Sequence, residues 1–419
     1  MNPFSQSEKH FPFIFERHRG RRLFCWNAFF WGLGNGLVST SLVIYIIRSL
    51  AANSMDKAQI GIAISWIIAA PRLIGLLRIL TPCLIDWVGN RRRVCFGGYL
   101  LSPLVLLLLP ISVPILSRWS VHYINETLWI IGLIWAIYHL IEYFASITLW
   151  SWIADLVSAR IRVPFLANRE RWMIAGQFLG MLLAGLYSYL RIQSREAALI
   201  PFDITQHWKI YLLPAWFGIL FLILAAFPIL GIPEVALKKV DSLKERLKEL
   251  LLPFRSRSFL CFVCFGCWIQ MANGLTQSPQ SIFQMNILNV SMLTALMLGS
   301  WTKIGQMCLA HQTGKWFNRW GNRRLIAISL LIVSTGPLFY LFATPEYWFL
   351  IIFAATVWIG WIGVNLGISN LSIVLSPAHQ RRHFFRSILQ QRLLFLEFQR
   401  FWAVGSLILL KQFLFPCLY

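Results

Sequence analysis

Long apolar stretches are the feature of this sequence that most restricts its fold. They lie near residues 23–47, 59–84, 94–116, 128–152, 171–190, 209–231, 258–276, 287–311, 323–343 and 347–375. As helices of roughly 20 residues or more, they are long enough to cross a hydrocarbon core of about 30 Å. A signal peptide would explain only one such stretch near the N-terminus. The pattern therefore predicts an all-α polytopic membrane protein.

The basic residues are distributed unevenly along the chain. The formal net charge is +22, which in a soluble protein would suggest a nucleic-acid partner. Here the lysines and arginines collect in the loops after the even-numbered stretches and in the N-terminal tail, whereas the opposite loops carry few cations. This is the positive-inside pattern, so we predict that the basic loops and the N-terminus are cytoplasmic and that no nucleic acid is bound.

A basic segment divides the chain into two halves. We expect residues 1–231 to form an N-terminal half of six helices with a cytoplasmic tail, and residues 258–419 to form a C-terminal half. Residues 232–257 form a cytoplasmic linker in which leucines at helical spacing predict an amphipathic helix, at the membrane surface or against a partner.

The end of the sequence is too short for the second half to match the first. The 37 residues after Arg382 cannot hold two spans of about 20 residues and a loop. We therefore expect the C-terminal half to be incomplete after about residue 382. A shifted or truncated reading frame and a genuinely short variant are both open explanations.

A short pattern occurs twice, 232 residues apart. "CLIDWVGNRRR" ends the second stretch, and "KWFNRWGNRR" ends the eighth, which is the second stretch of the other half. The aligned pairs are Asp86 with Asn318, Gly89 with Gly321, Arg91 with Arg323 and Arg92 with Arg324. Equivalent positions of the two copies indicate that the halves are duplicated.

The repeated loop resembles that of the major facilitator superfamily of secondary transporters. In that family, the loop between the second and third spans reads glycine, three residues, aspartate, arginine, any residue, glycine and then basic residues. Asp86, Gly89, Arg91 and Arg92 match, while Pro82 and Trp87 depart from the pattern. The second copy has Gly314 and Arg319 but Asn318 in place of the aspartate. The resemblance implies a helical bundle of two halves with about 11 (10–12) transmembrane helices.

The resemblance also implies a gating role for the repeated motif. In the family, the cluster around the aspartate stabilises the outward-facing state and breaks as the halves rock. A glycine lets the chain leave a helix tightly, arginines stay at the anionic cytoplasmic surface, and a carboxylate accepts charge-assisted hydrogen bonds. The alternative is that Arg91, Arg92 and Arg93 only set the topology. Because Asn318 carries no charge, a weaker latch is expected in the second half.

Polar side chains inside the predicted spans are the candidates for the transport path. A charge at mid-span costs roughly 2.5–3.5 kcal/mol, so it tends to face a cavity or a partner. His139 and Glu142, three residues apart, share one helical face, and Arg72 lies near the middle of its span. The resemblance implies that the first, fourth, seventh and tenth spans line a central cavity. Those spans also contain Asn27, Asn35, Gln270, Asn273 and Asn365, and tryptophans 31, 268, 358 and 361, which serve either as cavity walls or as packing.

Glu142 is the main candidate for proton coupling. A carboxyl group withdrawn from water can take up and release a proton during transport, with His139 modulating it. A permanent ion pair between Glu142 and Arg72, or a polar packing role, is the alternative. Lys303, in the eighth stretch, either reaches towards the membrane surface or lines the path.

Two other motifs indicate packing rather than chemistry. Gly32, Gly34 and Gly36 lack the full dinucleotide-binding spacing and a preceding strand, so they predict close helix contact. The cysteines at 261, 264 and 267 lie in an apolar stretch without a fourth ligand. The spacing of the reactive side chains in the sequence does not assemble a nucleophile, a base and an orienting group. The sequence therefore predicts no enzyme, no metal and no cofactor.

These features predict a monomeric transporter in the plasma (inner) membrane. Its partners would be the lipid bilayer, a small-molecule solute and, if transport is coupled, protons. We expect alternating access driven by a gradient, because no ATP-binding motif is present. The rival hypothesis is a membrane sensor, or a degenerate relative of a transporter, that binds its ligand without moving it.

Overall fold

A computed structural model describes residues 18–51, 64, 66–71, 74–119, 124–157, 159–197, 208–234 and 257–374. Within these ranges the chain is helical and contains no strand. The predicted N-terminal tail, most of the linker and the C-terminal residues from 375 lie outside the described residues. The expectations for those segments stay predictions.

Helices occupy all ten predicted positions, which we number as spans one to ten. In the first half they are His18–Leu37 with Thr40–Ala51, residues 66–71 with Gly75–Leu80 and Thr81–Val88, Arg91–Leu106 with Leu108–Trp119, Ile124–Leu156, Ala159–Ala197, and Trp208–Leu224 with Phe227–Leu230. In the second half they are Arg257–Asn286, Met292–Trp320, Asn322–Ser334 with Gly336–Phe342, and Leu350–Val357 with Trp358–Gly360 and Trp361–Val374. Seven helices within the described residues are long and apolar enough to cross a membrane. The predicted fold class is confirmed.

Glycines bring spans one and five into close contact. A Cβ atom on Gly180 would lie 2.8 Å from the backbone nitrogen of Leu37, and one on Gly36 would lie 2.9 Å from the Cα of Gly180. A Cβ on Gly32 would collide with the carbonyl oxygen of Met173. Small residues spaced by four along both helices let the two backbones touch, which is a common way to pack helices in a bilayer. The packing role predicted for the glycines of span one is confirmed.

Spans five and eight join the two halves. A Cβ on Gly299 would lie 3.3 Å from the sulfur of Met181, and one on Gly185 would lie 3.2 Å from a methyl carbon of Leu293. Elsewhere the hydroxyl of Tyr45, in span one, donates a hydrogen bond to the carbonyl of Val290 at 3.0 Å. We call the contact between spans five and eight the seam. At these two glycines the packing of the seam is apolar and close. The two halves also enclose a cavity, which lies beside the seam.

Candidate functional site

The repeated Gly-Asn pair forms a tight turn between spans two and three. Gly89 has a φ of +69° and its N–H donates to the carbonyl of Ile85 at 2.8 Å, which ends the helix Thr81–Val88. Asn90 then caps the next helix, since its side-chain oxygen accepts a hydrogen bond from the backbone N–H of Arg93 at 2.8 Å. Glycine suits the first position because positive φ is strained for other residues.

The arginines of this turn bind two neighbouring spans. Arg91, only 1% exposed, forms a salt bridge with Asp155 at the end of span four, with 2.6 Å between Nη1 and Oδ2. Arg92 donates to the carbonyl of Ile232, after span six, at 2.8 Å. Asn90 donates to Glu234 at 2.7 Å. These contacts, which we call the arginine cluster, tie spans three, four and six into one unit.

Asp155 is a member of this cluster that the sequence reasoning missed. Its signal was available, because it is the first carboxylate after the long apolar stretch that contains Glu142. Asp86 is partly buried near the end of span two. Its predicted role as the carboxylate of a latch stays a prediction.

The second copy of the motif repeats the turn but not the contacts described above. Gly321 has a φ of +78°, and its N–H donates to the carbonyl of Phe317 at 3.0 Å. Arg319, Arg323 and Arg324 are exposed. A Cβ on Gly314 would meet open space, and the side chain of Asn318 lies outside the described residues. The second copy therefore also ends its helix at a glycine of positive φ, but the ψ of Gly321 is 162° where that of Gly89 is 5°, and Gly321 instead of the asparagine precedes the next helix.

A cavity of about 1760 Å³ lies between the halves. Spans one, four, seven and ten contribute to its lining as predicted, and spans two, eight and nine do so as well. His139 and Asn273 are the predicted path residues that line it. Its aromatic walls include Trp135, Tyr143, Trp268, Tyr340, Trp358 and Trp361. The mixture of aromatic and polar groups is typical of a site for a small molecule.

Other predicted path residues lie away from the described cavity wall. Asn27 is fully buried and donates to the carbonyl of Ala225 at 2.8 Å, so it joins spans one and six. Asn35 lies close to the side chain of Tyr138, on span four. Asn365 is exposed. Arg72 and the side chain of Gln270 lie outside the described residues, so their assignment to the path stays a prediction.

A buried acid and base lie directly behind the cavity wall. Glu142 is 5% exposed and Arg78 is 4% exposed, and the two interact electrostatically. The guanidinium carbon of Arg78 lies 3.0 Å from the centroid of the Tyr143 ring, which itself lines the cavity. Trp31 is a further neighbour of Glu142. Because buried charges are stabilised only by partners, this cluster depends on Arg78 remaining close to Glu142.

Arg78 is the second residue that the sequence reasoning missed. The predicted partner of Glu142 was Arg72, which is outside the described residues, and the structure places Arg78 beside the carboxylate. Arg78 lies near the end of its stretch that is predicted to be cytoplasmic, where arginines commonly stay at the membrane surface. The available signal was the run of seven uncharged residues between Arg78 and Asp86, which places the arginine well inside the helix.

The sequence matches no protein-family model and no curated protein sequence. Solved structures do resemble it. A D-xylose–proton symporter gives a TM-score of 0.63 at 11% identity over 92% of this chain and 88% of that one. The fucose:proton symporter of E. coli gives 0.61 at 15% identity, over 94% and 92% of the two chains. The nucleoside transporter NupG gives 0.56 at 12% identity, over 93% and 96%.

The chain has the major facilitator superfamily fold. The predicted fold is therefore confirmed, although identities this low show the fold alone. In this superfamily fold the cavity lies between the two halves, with Glu142 and Arg78 inside the first of them. The helices also establish an integral membrane protein.

Proposed function

We propose that this protein moves a small solute across the membrane by alternating access, driven by a gradient and without ATP hydrolysis. The observation that carries the proposal is the buried Glu142–Arg78 pair behind the wall of a cavity that both halves line. Titratable groups inside membrane spans are costly, so their presence beside a cavity points to a transport role. The structural neighbours include a D-xylose–proton symporter and a fucose:proton symporter.

Glu142 is the proton-binding group in this proposal. When the carboxylate is charged, it attracts Arg78, whose guanidinium also lies against the Tyr143 ring. When Glu142 holds a proton, this attraction is lost, and Arg78 is left with Tyr143 as its described ring partner. Because Tyr143 lines the cavity, the shape of the solute site depends on the proton. His139, one turn away on the same face, lines the cavity too and is placed to pass the proton on.

The arginine cluster holds the first half together in the gating that we propose. Its contacts fix spans three, four and six, so the half is expected to rock as one body against the seam. We further propose that the protein is a monomer of the plasma membrane with a cytoplasmic N-terminus. The basic loops supply the orientation under the positive-inside rule.

Uptake into proteoliposomes tests the proposal. Purified protein is reconstituted, and a panel of radiolabelled sugars, nucleosides and organic acids is offered with and without an inward proton gradient. We expect accumulation of at least one solute above its equilibrium level only with the gradient. Glu142→Gln should abolish accumulation and keep exchange of the same solute, because the neutral amide cannot release a proton.

Glu126→Gln is the matched control, since Glu126 is exposed in the first turn of the same helix. It should accumulate solute as the unaltered protein does. Accumulation that survives Glu142→Gln would remove Glu142 from the coupling. Solute binding without flux in the unaltered protein would instead support the sensor hypothesis.

A further inference from the structure

The described lining of the cavity contains cationic side chains and no carboxylate. Lys303 of span eight and Arg323, near the start of span nine, both line it, and His139 is the remaining titratable group with a basic nitrogen. Asparagine, glutamine, serine and threonine account for most of the other polar lining. A cavity with this lining is expected to carry a positive potential, which favours anions.

Lys303 lies far from both ends of its helix. It lies 11 residues after the first residue of Met292–Trp320, which corresponds to about 17 Å at 1.5 Å per residue. The other end is farther away. The four-carbon stem of a lysine is far shorter than either distance, and Lys303 is one of the cavity-lining residues. Both observations favour a place in the path over one at the membrane surface.

Among the described residues, the charges that interact with Glu170 are two cations, Lys303 and Arg169. The electrostatic partner of Lys303 among the described residues is Glu170 of span five, on the other side of the seam. Glu170 interacts with Arg169 as well, and Arg169 is buried with its guanidinium 5.1 Å from the Trp150 ring. One carboxylate thus faces two cations, and Glu170 is not among the cavity-lining residues. A negative group in the cavity would complete the balance.

The walls beside these cations are aromatic and largely apolar. Trp268, Trp358 and Trp361 line the cavity. Trp135 also lines it, but the residue is 1% exposed and its indole nitrogen is buried, so its ring rather than its N–H contributes to the wall. Aromatic faces suit a ligand with a flat body.

We infer that the cavity takes a small organic anion with a flat apolar body, whose carboxylate or phosphate pairs with Lys303. This assignment of the solute class rests on the proposed function, but it concerns binding and can be tested without flux.

Four aromatic probes with different charges test the inference on the purified full chain. Benzoate, phenyl phosphate, benzyl alcohol and benzylamine are titrated while thermal unfolding is followed, because a ligand of the folded state raises the apparent Tm. We expect a larger rise with benzoate or phenyl phosphate than with the neutral and cationic probes. The stronger of the two anions identifies the preferred headgroup. If neither anion exceeds benzyl alcohol, the inference is wrong.

Variants of Lys303 assign the charge to one residue. Lys303→Gln should weaken binding of the preferred anion by about tenfold or more, since a hydrogen bond between charged groups is lost. Lys303→Arg should retain most of the affinity. Lys315→Gln, an exposed site on the same helix, is the control and should bind as the unaltered protein does. Unchanged anion affinity in folded Lys303→Gln would overturn the inference.

The binding and flux experiments fail independently. Anion binding that depends on Lys303 without any uptake would refute transport and leave the anion site intact. Proton-driven uptake of a neutral sugar, with no preference for anionic probes, would refute the anion site and leave transport intact.

Discussion

Arg91 and Asp155 form a salt bridge whose two partners differ in exposure, so their substitutions should differ in cost. Arg91 is 1% exposed and Asp155 is 18% exposed, with 2.6 Å between the bonded atoms. Asp155→Leu leaves a buried guanidinium without its carboxylate. Arg91→Met keeps much of the side-chain volume and leaves a carboxylate that water can partly reach. We therefore expect Asp155→Leu to destabilise the protein more.

The magnitude follows from the burial of the group left behind. Removing one partner of a buried pair costs about 3–5 kcal/mol of unfolding free energy, and Asp155→Leu should fall in that range. For Arg91→Met we expect about 1–2 kcal/mol less, because the remaining carboxylate is partly hydrated. The double variant should be less destabilised than Asp155→Leu alone, because replacing both charges by apolar groups leaves neither one unpaired.

Unfolding in mixed micelles with increasing dodecyl sulfate, followed by tryptophan fluorescence, measures these differences. Arg93→Met is the control, because Arg93 is an exposed arginine of the same turn, and it should change the free energy by less than about 0.5 kcal/mol. An Arg91→Met variant as unstable as Asp155→Leu would contradict the reasoning. So would a double variant that shows the sum of the two single losses.

Three further predictions concern helix packing, the contact between the halves, and topology. Gly176→Ala should lower the apparent Tm by several degrees because its Cβ would lie 2.7 Å from a backbone nitrogen of span one, whereas Gly97→Ala, in open space, should not lower it. Tyr45→Phe should weaken the contact between the halves by about 1 kcal/mol, increasing their separation as measured by distances between paired spin labels; an unchanged distance distribution would count against that contact. Cysteines placed at Asn90 and Asn322, in a chain without its eight native cysteines, should react with an impermeant maleimide only from the cytoplasmic side, and labelling from opposite sides would refute the duplicated halves.

The positions of the spans were predictable because hydropathy and helix geometry act locally. A stretch such as 94–116 must form a helix to satisfy its backbone hydrogen bonds in lipid, and the structure has helices from Arg91 to Trp119 there. The turn at Gly89 was predictable for a similar reason, since a glycine followed by asparagine ends one helix and caps the next. Such signals depend on neighbours in the sequence.

The partners of the charged groups were harder to predict because they depend on how helices rotate and shift against each other. The sequence singled out Glu142 and suggested Arg72 as its partner, whereas its charged neighbour among the described residues is Arg78. The two arginines are six residues apart, which corresponds to about 9 Å along a helix. The 3₁₀ turn Gly75–Leu80 further changes the direction of side chains in this span. Neither effect follows from a hydropathy pattern. The same applies to Asp155, because the sequence marks it as the first carboxylate after the stretch of Glu142 but does not mark it as the partner of Arg91.

The two copies of the Gly-Asn turn both end a helix at a glycine of positive φ, but their surroundings differ, and this difference bears on the movement that we propose. The first copy is bound to Asp155, Ile232 and Glu234 from neighbouring spans, whereas the arginines of the second copy are exposed. Charge-assisted contacts hold the first half together around the first turn. The seam is packed instead by glycine, leucine and methionine, with Glu170 and Lys303 interacting electrostatically across it. Apolar surfaces slide without breaking directional bonds, so a change of charge at Lys303, such as an arriving anion, would act where the halves separate most easily.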